Sequence, residues 1–283
     1  MNNNDLKINW YPGHMAKATK EIKEVANLAD LFIIVLDSRC PLSSYNDDFD
    51  KIAPNKPRLF IATKSDLMDV SKKEKIAKHF NYSRLLWLDL RNQKSRSIIL
   101  KELEKINKEK TKNAVNKGFL QPRIKVFVLG VPNAGKSTLI NLMTQKKNLK
   151  VGNFPGVTRT KSWVNVDNFF FLDTPGILLP NIENQEAAVK LSMTRCIETK
   201  QFPIKLIAEN YLDVIAKYYP NKLTDDFKIE PKLLANLNDV NKHAIFTQIA
   251  KNRGLKVENK LVLDGAHQYF INYVQNLKGV TYE

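Results

Sequence analysis

The octapeptide Gly130-Val-Pro-Asn-Ala-Gly135-Lys136-Ser137 constrains this chain more than any other stretch, because G-x-x-x-x-G-K-S restricts what can stand on either side of it. The preceding run, Ile124-Lys-Val-Phe-Val-Leu129, is β-branched and aliphatic and predicts a strand, while Leu139, Ile140, Leu142 and Met143 follow at helical spacing. A strand, a glycine-bearing turn and a helix in that order turn backbone amides inward and aim the positive helix terminus at an anion. Asn133, Ala134, Gly135, Lys136, Ser137 and Thr138 are therefore candidate contacts for a nucleotide's phosphates. Lys136 can reach β and γ oxygens, and the Ser137 hydroxyl can ligate Mg²⁺. The flanks favour this reading over an ordinary strand-turn-helix corner.

Other strand ends carry polar groups suited to the same ligand. Leu31 to Leu36 reads as a buried parallel strand delivering Asp37-Ser38-Arg39-Cys40-Pro41, where Asp37 and Arg39 either form a local ion pair or touch the ligand directly. Arg58 to Ala62 delivers Thr63-Lys64-Ser65-Asp66. A carboxylate at that corner can accept from N1 and N2 of guanine, a donor pair adenine lacks, while the Lys64 stem lies over the base. Residues 71–80 are helical in pattern. The next strand, Leu85 to Leu90, ends at Asp89-Leu90-Arg91, a candidate third base contact through backbone amides.

Beyond the phosphate loop, Gly152 to Arg159 is turn-rich and offers Thr158 to complete a Mg²⁺ shell. A strand from Asn168 to Leu172 then leads to Asp173-Thr174-Pro175-Gly176, 37 residues after Lys136. Asp173 can hold a metal-bound water, and the Gly176 amide can meet a γ-phosphate. Between the base corners and the phosphate loop, the stretch 96–123 divides in two, beginning with a Lys-rich helix whose apolar stripe runs from Ile98 to Ile106. A polar connector, Asn107 to Gly118, follows, leaving a solvated or RNA-facing charged side. At the start of the chain, Trp10-Tyr-Pro-Gly-His14-Met-Ala-Lys17 is a Pro-Gly turn running into a helix.

Charge narrows the partner. The formal net charge is +16 over 283 residues, and residues 1–179 hold 31 Lys and Arg against 17 Asp and Glu. The excess thus accompanies the phosphate loop and suits a polyanion, a Lys-rich solvated surface being the bland alternative. Two cysteines exclude a disulfide scaffold. Without a membrane-length apolar run or a signal-peptide pattern, the expectation is a soluble cytoplasmic protein. After residue 185 strand signals stop and helical stripes take over, such as Ala266, Tyr269, Phe270, Tyr273 and Leu277. The expected division is therefore a nucleotide-binding domain at 1–179 and an all-helical domain at 180–283.

The order of these pieces resembles a circularly permuted GTPase: base motif first, then phosphate loop, Thr158 and Asp-Thr-Pro-Gly. Trp10 to Lys17, Asp37-Ser-Arg-Cys-Pro41 and the helical C-terminal segment resemble the bacterial ribosome biogenesis GTPase A family, the YlqF-type GTPases. The resemblance implies an α/β fold: a permuted P-loop GTPase domain with a mostly parallel sheet, plus a smaller helical domain contacting RNA. It implies hydrolysis of GTP to GDP and phosphate during late assembly of the large (50S) ribosomal subunit, with that subunit's precursor and its rRNA as partners. Mg²⁺ at Ser137, Thr158 and Asp173, K⁺ at Asn133, no membrane and a monomeric state complete the expectation. Thr63 stands where the family's base motif usually begins with Asn, which leaves one loop-bracing hydrogen bond open. Ile177 follows Asp-Thr-Pro-Gly where many GTPases carry Gln, so the resemblance makes His14 the water-positioning candidate, whereas residue chemistry alone makes it a cap of the first helix. The alternative function is a GTP-sensing RNA-binding switch whose hydrolysis is incidental; an ATPase is disfavoured by Lys64-Ser-Asp66.

Overall fold

The computed structural model describes residues 20, 22–45, 48–80, 84–117, 122–145, 151–152, 163–173, 184–257, 260–261 and 263–283. Its centre is a seven-stranded sheet, with β1 (Leu31–Asp37), β2 (Arg58–Thr63), β3 (Leu85–Leu88), β4 (Ile124–Gly130), β5 (Val151–Gly152), β6 (Trp163–Val166) and β7 (Phe169–Asp173). The spatial order is β3-β2-β1-β4-β7-β6-β5. The first five of these are parallel, and β6 and β5 extend the sheet as antiparallel neighbours. The strands β1 and β4 lie in the middle because they are apolar on both faces, as a sheet covered on both sides requires. Leu31, Ile33 and Val35 of β1, with Val126 and Val128 of β4, face one apolar layer. Phe32, Ile34 and Leu36, with Phe127 and Leu129, face the other. That alternation is the period of two of an extended chain.

Among the described residues, 22–25 are helical, and the further α-helices are α1 (Asp48–Lys51), α2 (Lys73–Ala77), α3 (Lys94–Asn116), α4 (Lys136–Thr144), α5 (Gln185–Met193), α6 (Ile204–Tyr218), α7 (Pro220–Phe227), α8 (Pro231–Leu234), α9 (Asp239–Asn252) and α10 (Leu263–Gln275). On one face of the sheet, α3 contributes Ile99 and Leu103 and α4 contributes Leu139, Leu142 and Met143. The same cluster continues through Ala188, Ile207, Tyr211, Phe246 and Phe270 of the later helices. The expected division near residue 180 falls at residues outside the described set, and the helices beyond it share this apolar layer. The last residues run back across the loops after β1 and β2: the amide of Tyr282 donates to the Arg39 carbonyl at 2.7 Å and that of Val280 to Leu67 at 3.2 Å.

Four expectations need correction, the first being the strand expected at Leu85–Leu90, which ends at Leu88 and turns at Asp89-Leu90. The connector assigned to Asn107–Gly118 is helix as far as Asn116. Its Lys, Glu and Ala content favours helix, and no Gly or Pro interrupts it before Gly118. The strand expected at Asn168–Leu172 is Phe169–Asp173. Asn168 instead completes a two-residue turn with Asp167, whose φ of 52° is the left-handed conformation such turns need, and β6 is its other arm. The segment after 180 is not purely helical: Lys256–Val257 (β8) and Lys260–Leu261 (β9) pair as a short antiparallel ribbon.

Candidate nucleotide-binding site

Parallel strands end together, and here β1, β2, β3, β4 and β7 bring their C-terminal ends to one edge. Asp37 is in register with Thr63, Thr63 with Leu88, Val35 with Gly130 and Val128 with Asp173. Ligands of open α/β sheets bind outside that edge. The phosphate-loop, base-loop and Asp89-Leu90-Arg91 residues are therefore neighbours although up to 75 positions separate them. His14, Thr158 and Gly176 lie outside the described residues, as do the Trp10–Lys17 and Asn153–Arg159 stretches. Asp173 is placed by its backbone at the end of β7.

Glycine is required at both ends of the phosphate loop for different reasons. A Cβ on Gly130 would stand 2.4 Å from the Val35 carbonyl oxygen on β1, closer than atoms can approach. Gly135 has φ +109°, which L side chains rarely adopt, and the space a Cβ would fill lies 3.4 Å from the Thr63 hydroxyl and 3.6 Å from Leu90. The loop thus rests on both base-side corners. Leu90 is buried, so this residue also supports the loop from beneath. Ser137 and Thr138 open α4 with exposed side chains. Lys136 is buried, with its ammonium donating to the Val131 carbonyl at 2.9 Å.

Lys64 ties three corners together. Its Nζ donates to Asp37 Oδ2 at 2.7 Å and to the Asn133 carbonyl at 2.8 Å, and its own carbonyl accepts from the Ser38 hydroxyl at 2.8 Å. Asp37 is fully buried and accepts from the Arg39 guanidinium through both oxygens, at 3.0 and 2.8 Å. Of the two readings of Asp37 and Arg39, the structure shows the local ion pair. Burial alone would raise the Asp37 pKa; Arg39 and Lys64 outweigh it and hold the carboxyl below its ordinary value.

Thr63, where Asn is usual, still braces the loop. Its hydroxyl lies 2.5 Å from the Ala134 carbonyl and 3.0 Å from that of Leu36. The Ser65 amide donates to the Leu88 carbonyl at 3.3 Å, joining the second and third corners. The candidate base selector Asp66 is engaged by Arg91, whose Nη2 lies 2.6 Å from Asp66 Oδ2, while Arg91 Nε donates to Asp89 at 3.0 Å. Hydrogen bonding from Arg91 is the main cause of a lowered Asp89 pKa.

Sequence reasoning missed one participant, the C-terminal cap of α5. The Thr194 carbonyl accepts from Arg39 at 3.1 Å, and the next carbonyl, that of Arg195, accepts from the Asn133 side chain at 2.8 Å. Arg195 has φ 64°, and its guanidinium reaches Gln275 and Asn276 on α10 and just beyond it. Carbonyl acceptors leave no trace in a sequence, so no signal could have revealed this junction.

Residues 125–245 match the family described as 50S ribosome-binding GTPase. Ribosome biogenesis GTPase A of Bacillus cereus is 34% identical over 254 residues, covering 88% of this chain and 83% of that protein. The Bacillus licheniformis protein of the same name is 34% identical over 254 residues, covering 88% and 87%. The chain belongs to the ribosome biogenesis GTPase A family. Its fold matches GNP-bound YlqF from T. maritima, with a TM-score of 0.64 at 23% identity over 94% of this chain and 97% of that one. As a GTPase of this family it is a GTP hydrolase, and the α/β core with a phosphate loop is the fold that activity requires. The 50S ribosome-binding GTPase match begins in β4, after β1, β2 and β3 along the chain.

Proposed function

We propose that this member of the ribosome biogenesis GTPase A family is a circularly permuted GTPase that hydrolyses GTP to GDP and phosphate while assisting late assembly of the large (50S) ribosomal subunit. The observation that carries the reading is the bridge from Lys64 to the Asn133 carbonyl at 2.8 Å, which joins the base loop to the phosphate loop despite their inverted order in the chain. Every nucleotide-facing corner stays on its own strand end under permutation, and only the connections change.

In this mechanism Asp66 accepts from the guanine edge, Lys64 flanks the base and Thr63 and Ser65 hold the corner, with Asp89 and Leu90 closing its far side. The amides of Asn133 to Thr138 and the Lys136 ammonium neutralise phosphate charge, which builds most strongly as the γ-phosphoryl leaves. The available donors fit Mg²⁺: the Ser137 hydroxyl is exposed at the start of α4, Asp173 ends the neighbouring strand, and hydroxyl and carboxylate oxygens are hard ligands. Ser137, Thr158 and Asp173 would hold the ion, which would supply charge neutralisation to the phosphates. A K⁺ ion would use the Asn133 carboxamide oxygen. Gly176 is assigned to the γ-phosphate and His14 to orientation of the attacking water.

The partner is the precursor large subunit and its rRNA, met by a basic nucleotide-binding domain at 1–179 and a helical domain at 180–283. The setting is the cytoplasm and the chain acts as a monomer. Among the described residues no helix is long and apolar enough to cross a membrane. Turnover measured with and without precursor large subunits tests the proposal. Stimulation by the particle, with sedimentation that needs GTP, is expected; turnover indifferent to the particle would favour a switch whose hydrolysis is incidental.

A further inference from the structure

Helix α3 leaves the third base corner, where the Ser95 hydroxyl donates to the Asp89 carbonyl at 2.7 Å, and runs for 23 residues. One side is spent on the core: Ile99 and Leu103 are fully buried and Asn107 nearly so. At 100° per residue the opposite side holds Lys94, Ile98, Lys101, Lys105, Lys108 and Lys112 within an arc of about 80°. All five lysines are exposed. Glu102, Glu104 and Glu109 fall at the borders of the arc, and Glu102 pairs with Lys105 at 3.0 Å. Lys94, Lys101, Lys108 and Lys112 pair with no carboxylate among the described residues.

We propose that this lysine strip is a docking surface for the phosphate backbone of RNA. From Lys101 to Lys112 successive ammonium groups advance about 4.5–6 Å along the axis, so that neighbouring lysines can meet neighbouring phosphates of one strand. Four lysines on one face that pair with no carboxylate among the described residues release counterions from a polyanion without first breaking ion pairs with those residues. A membrane surface fits less well, because an interfacial helix needs its apolar side free and that side of α3 is already in the core. The strip lies in the basic part of the chain, whereas residues 180–283 carry 14 Lys and Arg against 12 Asp and Glu. General attraction to rRNA is thereby assigned to α3. The inference rests on the proposed ribosomal role for its natural partner, and its test is arranged to separate the two.

The variant K101Q/K105Q/K108Q/K112Q keeps helix-forming side chains and touches none of the nucleotide corners. Its thermal midpoint and intrinsic GTP hydrolysis should match those of the wild type. Binding of both proteins to purified large subunits and to a plain RNA duplex is measured across a salt series. Three of the replaced lysines, Lys101, Lys108 and Lys112, have no carboxylate partner among the described residues, and for loss of their phosphate contacts the slope of log affinity against log salt should become shallower by about 3. An unchanged slope on the duplex overturns the strip and leaves the ribosomal role standing. Wild-type protein that ignores large subunits yet grips the duplex through these lysines overturns the ribosomal role and keeps the strip. Wild-type binding to phosphatidylglycerol vesicles that exceeds binding to the duplex assigns the strip to lipid and overturns the proposal.

Discussion

Replacing Thr63 with Val tests whether the base corner holds the phosphate loop in place. Thr63 is 1% exposed, so water cannot substitute for its hydroxyl, which stands between the carbonyls of Ala134 and Leu36 at 2.5 and 3.0 Å. Valine preserves the branched shape and deletes the donor. Leaving a buried carbonyl unmatched costs about 1–3 kcal/mol. The Leu36 carbonyl belongs to a rigid central strand, so its share appears as lost stability. Ala134 lies in the loop between β4 and α4, and its share appears as lost preorganisation of that loop. If most of the cost falls on the loop, GDP and GTP affinities drop together by about 5- to 100-fold, at 1.4 kcal/mol per decade. Displacement of a fluorescent GDP analogue at fixed Mg²⁺ measures this, beside urea unfolding of the same variant. Thr63→Ser, which keeps the hydroxyl, should recover most of the affinity. Discrimination against ATP should not change, since Asp66 is untouched. Wild-type affinity in Thr63→Val, with an unaltered urea midpoint, would refute the brace.

Three further outcomes are expected. Lys136→Ala should abolish measurable GTP turnover while retaining the fold, as seen by circular dichroism; normal hydrolysis in this variant is incompatible with the phosphate-loop assignment. Asp66→Asn should weaken guanine nucleotides by about 100-fold or more, for two charge-assisted hydrogen bonds at roughly 1.5 kcal/mol each, and shift preference toward xanthine nucleotides in competition assays. Acid should destabilise the protein through its paired carboxylates. Burial pushes Glu186 up, but hydrogen bonds from Lys217, Tyr218 and Lys190 bring its pKa to about 2, and Asp37 is likewise lowered. A depressed carboxyl stabilises above its unfolded pKa and loses that contribution as pH falls through the folded value, so stability should hold down to about pH 4.5 and decline toward pH 2. Glu186→Gln should flatten part of that decline in a pH series of urea midpoints.

What the sequence revealed and what it hid divide along physical lines. The continuous apolar runs of β1 and β4 and the glycine spacing of the phosphate loop are local, and each dictates its own geometry. Parallel strands then bring their ends together, so Thr63, Asp89 and Gly135 become neighbours without further information. The contacts between corners were not legible. Lys64 meets Asn133 across 69 positions and Asn133 meets Arg195 across 62, each through a backbone carbonyl that any residue possesses. The extension of α3 was legible in principle, since nothing between Asn107 and Asn116 breaks a helix, but polarity without an apolar stripe read as connector. Asp66 is a candidate acceptor from its place at a strand end, whereas its partner Arg91 is visible only through the parallel register of β2 and β3.

Arg39 shows how the missed contacts bear on the recognised ones. Its guanidinium uses two donors on Asp37 and shares one of them with the Thr194 carbonyl at the end of α5, so one side chain fixes both the base corner and the helical segment. Asp37 in turn positions Lys64, which holds Asn133. Arg39→Lys conserves charge but cannot span Asp37 and Thr194 together, because an ammonium lacks the planar fork. The loss of one charge-assisted hydrogen bond from a buried group costs about 1.5–3 kcal/mol. With Asp37 less firmly held, Lys64 loses its anchor, and guanine nucleotide affinity should fall even though Arg39 touches no nucleotide. A Lys variant whose urea midpoint drops while GDP affinity per folded molecule stays at the wild-type value would break this chain of contacts at Asp37. A midpoint equal to wild type would break it at Arg39 itself.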